Sequence, residues 1–495
     1  MTDSSPTLEV PKSVEAEPRS GNRPQGSWLV RFLAASLIIG VTALMFGPFE
    51  SEVVGGCAIV LMLVLMFLKV PIAVAMVTAS VIGLYAVRGP MPVESLLSSL
   101  PYQEVSSWEL SAIPMYVLMG LLLWKSRLTE KLYDAGRQWL SWLPGGLAFS
   151  TNAAGTGLAA ISGSTIGSTY ALARVGIPEM LKSGYNKRYT LGAVAVASLP
   201  GQLIPPSLYL IIFAGIAQVP VGPQLIAGVL PGLVVAACFG TTIVALAVAR
   251  PALAGGHDRP PLLPWSGRII TLLKVWPVPV LIGLVLGGMF SGVVTATEAG
   301  AAGALGALLL TLWYRRKDHP ARAISSAATE TVATAGVIFL LTVGVYAFSR
   351  LLAISGIGPA FTNWVTELGF DRVQFLLVLM VAYLVMGMFM DPLSMMLLTV
   401  PLILPTLPAL DISALWFGVF VVFMAELSVL TPPVGMLSFV LHKLVQDPEV
   451  NQGQSISLGD VFRGVAWFMP VAIVVCLILL FFPEIATYLP DRMGT

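Results

Sequence analysis

The sequence predicts an all-α polytopic membrane protein built from two inverted repeats, each carrying a re-entrant helical hairpin and a broken helix. Three observations predict it. Of 495 residues, 56% are hydrophobic and 11% charged, with apolar runs of about 20 residues recurring along the chain, the length that crosses a bilayer as a helix. Proline doublets interrupt two of these runs, at Leu203-Ile204-Pro205-Pro206-Ser207 and at Leu430-Thr431-Pro432-Pro433-Val434. Each doublet is preceded by a stretch too long to cross the membrane once.

Residues 1–27 form a polar tail rich in Ser, Pro, Glu and Arg, which cannot bury enough apolar surface to fold and reads as disordered. The next run, 28–47, reads as an extra N-terminal transmembrane helix. A secretion signal is disfavoured by the long, partly acidic segment before it and the lack of a small-residue cleavage site after it. The first repeat occupies 48–249, with spans at 52–69, 71–88 and 111–125, a hairpin at 147–182, a broken helix at 189–218 and a span at 222–249. A Pro- and Gly-rich cytoplasmic linker, 250–268, divides the chain. The second repeat, 269–488, offers spans at 269–290, 293–314 and 330–352, a hairpin at 373–405, a broken helix at 414–445 and a last span at 464–488, before a short tail, 489–495.

The hairpins follow from length. A continuous helix over the first stretch would be roughly 50 Å long against a hydrocarbon core of about 30 Å, so it must turn back. Ser162-Gly163-Ser164-Thr165-Ile166-Gly167-Ser168 is the natural turn, and Gly387-Met388-Phe389-Met390-Asp391-Pro392 its counterpart. Gly163 precedes Pro178 by 15 residues and Gly387 precedes Pro401 by 14, so hairpin and broken helix recur in one order. Amphipathic connectors precede each hairpin, at 125–142 and 355–368, suited to the membrane surface. With the N-terminus inside, the topology leaves all but five of the 27 Lys and Arg cytoplasmic: Arg88, Arg350, Arg372 and Arg492 fall outside and Arg174 in the membrane. That bias favours a cytoplasmic N-terminus and a C-terminus on the opposite side.

Each proline removes a donor and frees a carbonyl one turn earlier. The first doublet is expected to free the carbonyls of Gly201 and Gln202, the second those of Ser428 and Val429. Paired broken helices are the sequence mark of a secondary transporter with its site at the breaks. Other classes fit poorly. The net charge of +1 gives no reason for a nucleic-acid partner, and no Gly-x-x-x-x-Gly-Lys phosphate loop occurs. Cys57, Cys238 and Cys476 stand alone in apolar runs, and His257, His319 and His442 are too far apart for a zinc site.

Ser162-Gly163-Ser164, Ile177-Pro178-Glu179-Met180, Gly184-Tyr185, Ile204-Pro205-Pro206-Ser207, Ala227-Gly228-Val229-Leu230-Pro231-Gly232, Thr297-Glu298-Ala299, Gly387 with Asp391, and Thr431-Pro432-Pro433-Val434-Gly435 together resemble the large membrane subunit of tripartite ATP-independent periplasmic (TRAP) transporters over roughly residues 52 to 488. The resemblance implies a multi-pass permease of the bacterial inner membrane that moves as an elevator. It implies sodium-driven uptake of an organic acid (a carboxylate), an extracytoplasmic substrate-binding protein that delivers it, and a small four-helix membrane subunit as partners, with the lipid bilayer around them. It implies Na+ as coupling ion and no organic cofactor. The single extra helix at 28–47 is too short to be a fused small subunit.

On this basis Ser162, Gly163, Ser164, Gly201, Gln202 and Pro205 are the expected first sodium site, and Gly387, Asp391, Ser428, Val429, Thr431 and Gly435 the second. Ser164, Thr165, Ser207 and Asp391 are the expected substrate contacts. Each has a plainer reading. Ser-Gly-Ser serves helix packing in many membrane proteins, and Asp391 can cap the returning arm, although a mid-membrane carboxylate is costly unless it meets an ion or cavity. Glu426, one turn before the second break, can tune that ion site, carry a coupling proton, or simply pair locally. Glu298 reads as a structural hydrogen-bonding residue. Arg174 suits a carboxylate clamp but lies roughly 15 Å along an arm returning to the cytoplasm, where it can snorkel to the interface. Two alternatives remain: a stand-alone divalent-anion/sodium symporter of related fold, and a membrane-embedded enzyme. The latter should show clustered catalytic carboxylates or histidines at a membrane face, which the chain lacks.

Overall fold

The computed structural model describes residues 27–106, 108–126, 128–255, 263–431 and 435–493. The polar tail up to residue 26, His257 and much of the linker, the second doublet Pro432-Pro433 with Val434, and the last two residues lie outside them. Among the described residues every regular element is helical, apart from one isolated bridge between Tyr185 and Ala254.

The first part runs α1 (Ser27–Met45), α2 (Ser51–Phe67), α3 (Ile72–Arg88), α4 (Pro90–Val105), α5 (Ala112–Lys125) and α6 (Leu128–Leu140). It continues through α7 (Gly146–Ser162), α8 (Thr165–Lys182), α9 (Lys187–Ala197), α10 (Leu208–Ala217), α11 (Val221–Ala227) and α12 (Val229–Ala249). The second part has α13 (Trp265–Val275), α14 (Pro277–Phe290), α15 (Ala296–Tyr314), α16 (Pro320–Ser355) and α17 (Ile357–Glu367). It then runs through α18 (Arg372–Met386), α19 (Pro392–Ile403), α20 (Ala414–Ser428), α21 (Met436–Leu444), α22 (Pro448–Asn451), α23 (Leu458–Ala466) and α24 (Met469–Phe481).

Three of these segments, Val221–Ala249, Ala296–Tyr314 and Pro320–Ser355, are singly long and apolar enough to cross a membrane. Three bent pairs also qualify, including α13 with α14 at 45° and α17 with α18 at 119°. Three features depart from the expected spans. Helix α4 fills a stretch to which no span was assigned. Helix α16 is 36 residues long rather than the expected 330–352, because Pro320 starts it at a first turn where a missing N–H costs nothing. The span expected at 269–290 bends at Trp276, before Pro277.

Side-chain caps set several helix starts. Thr295 with Glu298, Asp371 with Gln374, and Ser457 with Asp460 form capping boxes. Small residues set the packing. A Cβ on Gly300 would sit 3.3 Å from the Tyr116 ring and one on Gly344 3.1 Å from Ala73 Cα, so α15 lies tight on α5 and α16 on α3. Hydrogen bonds fix neighbouring helices in register: Tyr189 to the Ile243 carbonyl (2.7 Å), Asn152 to Ala236 (3.0 Å) and Trp416 to Leu479 (2.9 Å). Tyr346 of α16 donates to the Gly215 carbonyl of α10 at 2.7 Å, joining the second part of the chain to the first. Asp460 on α23, almost fully buried, takes Lys187 and Arg188 at 2.9 Å each, clamping α23 to the start of α9.

Candidate functional site

Gly163, in the left-handed region at φ 62°, ends α7, and Ser164 begins α8 by accepting the Gly167 N–H at 3.1 Å. Ser162 Oγ lies 2.7 Å from Ser168 Oγ and accepts the Ser164 N–H at 3.2 Å. The hydroxyls that make this tip a candidate site thus also build its turn.

The first broken helix stops at α9, makes a short 3-10 turn at Pro200–Gln202, and restarts at α10 under a cap from Ser207, which accepts the Leu210 N–H at 3.2 Å. Gly201 allows the break to rest on α7, since a Cβ there would come within 2.6 Å of the Ala160 nitrogen. The carbonyls of Gly201 and Gln202 accept no backbone hydrogen bond among the described residues. The buried Gln202 side-chain oxygen also has no partner among the described residues. An orphaned acceptor of this kind costs about 1–3 kcal/mol unless something outside the protein chain meets it.

In the second hairpin Asp391 caps α19, accepting the Ser394 N–H at 3.0 Å and, through its other oxygen, the Ser394 hydroxyl. The capping role therefore exists, and the carboxylate still faces open space. Gly387 lets this tip sit on the second break: a Cβ there would collide with the Ser428 side chain. That break differs from the expectation of two freed carbonyls. The Ser428 carbonyl accepts from Thr431 N–H at 3.1 Å and the Val429 carbonyl from Leu437 N–H at 3.2 Å. Thr431, just before the doublet, and Leu437, in α21, therefore engage the two groups, leaving each its second lone pair. Thr431 Oγ1 donates to the Leu427 carbonyl at 3.0 Å, and Gly435 N–H to the Thr431 carbonyl at 3.1 Å.

Both tips and both breaks open onto one cavity of about 470 Å³. Ser162, Gly163, Ser164 and Thr165 reach it from the first hairpin, Pro206 and Tyr209 from the first break, Asp391 from the second hairpin, and Glu426 and Val429 from the second broken helix; α5 and α16 close it with Tyr116 and Thr334. Among its described lining residues two are carboxylates and none is basic. Asp391 also lines a second cavity of about 190 Å³, shared with Ser394 and with Phe67 and Val70 near the α2–α3 turn. Gly201, Gln202, Pro205, Ser207, Gly387, Ser428, Thr431 and Gly435 are not among the residues that line the central cavity.

Glu426, for which tuning of the second ion site, a coupling proton and local pairing were all open, meets the first hairpin: Thr165 Oγ1 donates to Glu426 Oε2 at 2.6 Å. Tyr116, Tyr209 and Thr334 were not anticipated. Tyr209 sits three residues after Pro206 at the restart of a broken helix, a position that could have pointed to it. Glu298 lies in its capping box and accepts the Thr295 N–H at 2.8 Å, away from the cavity. Arg174 is half-exposed, 3.7 Å from the Asp447 carboxylate and stacked over Tyr170 at 5.4 Å, also away from the cavity. Arg174→Ala is therefore expected to change stability by less than about 1 kcal/mol and to leave uptake intact, as thermal unfolding and a transport assay would show.

Helical hairpins and broken helices converging on one internal cavity, in a chain of apolar helices, define an all-α polytopic transporter. The chain belongs to the family described as the tripartite ATP-independent periplasmic transporter, DctM component, which matches residues 59–485. It is a TRAP large permease subunit. It is 28% identical over 405 residues to the C4-dicarboxylate TRAP transporter large permease protein of Pseudomonas aeruginosa, covering 82% of this chain and 91% of that protein. It is 29% identical over 434 residues to the ectoine TRAP transporter large permease protein of Halomonas elongata, covering 87% and 97%. Among solved structures the fold is similar to the YdaH transporter of Alcanivorax borkumensis, with a TM-score of 0.55 at 14% identity over 88% of this chain and 97% of that one. Helix α1 precedes the region matched to the family.

Proposed function

We propose that this chain is the sodium-coupled permease of a tripartite importer of organic acids in the bacterial inner membrane, with its N-terminus cytoplasmic and its C-terminus periplasmic. One observation carries the reading: a cavity shared by both hairpin tips and both helix breaks holds two carboxylates and no basic lining residue among those described. An anionic substrate entering such a site would meet repulsion unless cations enter with it. The donors nearby are hydroxyl, carbonyl and carboxylate oxygens, which suit a hard cation such as Na+. Ser162, Ser164 and the orphaned oxygens of Gly201 and Gln202 would serve one ion, Asp391 with the remaining lone pairs of Ser428 and Val429 another.

Sodium binding would neutralise the tips and order them, creating the anion site next to Thr165. Each net charge carried through a 100 mV potential adds about 2.3 kcal/mol of driving force. The helices that carry tips and breaks would move together against α3, α5, α15 and α16 as an elevator. A small four-helix subunit and an extracytoplasmic binding protein complete the assembly, the latter setting which acid is carried. The test is uptake of labelled C4-dicarboxylate, ectoine and sialic acid into proteoliposomes holding this chain and its small subunit. Na+ gradient and binding protein are each supplied or withheld. Uptake needing both supports the proposal; Na+-dependent uptake without the binding protein would make the chain a stand-alone symporter, and Na+-independent uptake would reject sodium coupling.

A further inference from the structure

Thr165 and Glu426 stand 261 positions apart, yet their side chains meet at 2.6 Å. Thr165 is the first residue of the returning arm of the first hairpin, and Glu426 lies in the last turn of α20, just before the second break. Both side chains are almost wholly buried while still bordering the central cavity. Among the described residues it is the one hydrogen bond from the tip of the first hairpin to the second broken helix, and no basic group lies among the described cavity residues beside its acceptor.

A buried hydrogen bond is costly to lose, because removing its donor leaves the acceptor stranded. The tip cannot shift without breaking it. We propose that Glu426 is a positioning residue whose carboxylate tethers the first hairpin tip to the second break, so that ion occupancy at one half of the site sets the geometry of the other. This rests on the sodium-coupled reading above.

The test is the thermal unfolding of the full chain in lipid nanodiscs, titrated with NaCl against choline chloride at constant ionic strength. A ligand that binds the folded state raises its stability as the logarithm of its concentration once that exceeds the dissociation constant, so the concentration at which the rise sets in reports Na+ binding without any other subunit. A wild-type chain with no Na+-specific rise defeats the sodium reading and this inference with it. Given a rise, Thr165→Val, nearly isosteric, and Glu426→Ala should each shift its onset to about ten-fold higher Na+ or more. The double variant should be no worse than the poorer single one, since both remove one interaction. Thr165→Ser restores the donor and Glu426→Gln keeps an acceptor, so both should stay within about three-fold of wild type. Unchanged titration in Thr165→Val, additive losses in the double variant, or Glu426→Gln failing as badly as Glu426→Ala would overturn the tether. The last of these would make the charge itself an ion ligand.

Discussion

Asp391→Asn is expected to insert and fold like the wild type and to lose the proposed sodium-driven uptake by about 100-fold, the equivalent of removing a charged partner worth about 3 kcal/mol. The choice of Asn separates two functions of one side chain. Asp391 caps α19 through the Ser394 N–H, and an Asn oxygen can take over that bond with little loss, since the two residues cap about equally well. Asn cannot replace the negative charge that Asp391 presents to the central cavity and to the crevice beside Phe67 and Val70. Asp391→Ala removes both and should add a cap loss of about 0.5–2 kcal/mol to the transport defect. Unfolding midpoints and initial uptake rates for the two variants, at fixed Na+ gradient, make the comparison. If Asp391→Asn transports normally while Asp391→Ala is only less stable, the carboxylate is a cap and the second sodium site lies elsewhere.

The sequence patterns that could be read were those with a local physical cause. A proline doublet interrupts a helix wherever it falls, so the restart of α10 after Pro206 was legible, and the connectors at 125–142 and 355–368 contain α6 and α17. Length alone required Gly146–Ser162 and Thr165–Lys182 to be separate arms. What could not be read depended on distant partners or on paths the chain takes after a break. Nothing local says that Leu437 folds back to satisfy the Val429 carbonyl. Nothing near Glu426 says that its partner is Thr165. Helix α4 escaped because it has no long apolar run and carries Pro101 inside it. Tyr116 and Thr334 lie within apolar helices, where a single polar side chain reads as packing until the facing helix is known.

Gly387→Ala is the second large effect expected, and its cause is steric. Gly387 stands where the second hairpin turns, and a Cβ there would overlap the Ser428 side chain, with Ser428 Cα only 2.9 Å away. The tip must then lift off the second break. Overpacking of this kind costs about 1–3 kcal/mol, and the displacement would also carry Asp391, four residues on, away from the Ser428 and Val429 carbonyls proposed to share its ion. Gly387→Ala should therefore lower the unfolding temperature and weaken the Na+-dependent stabilisation together. Ser428→Gly removes the side chain that the new Cβ meets, so adding it to Gly387→Ala should recover part of both losses, although Ser428→Gly alone weakens α20 by about 1 kcal/mol. Partial rescue places the defect at this contact. A double variant no better than Gly387→Ala means that the glycine serves the turn itself, and wild-type behaviour of Gly387→Ala means that the tip is free to move away from the break at no cost.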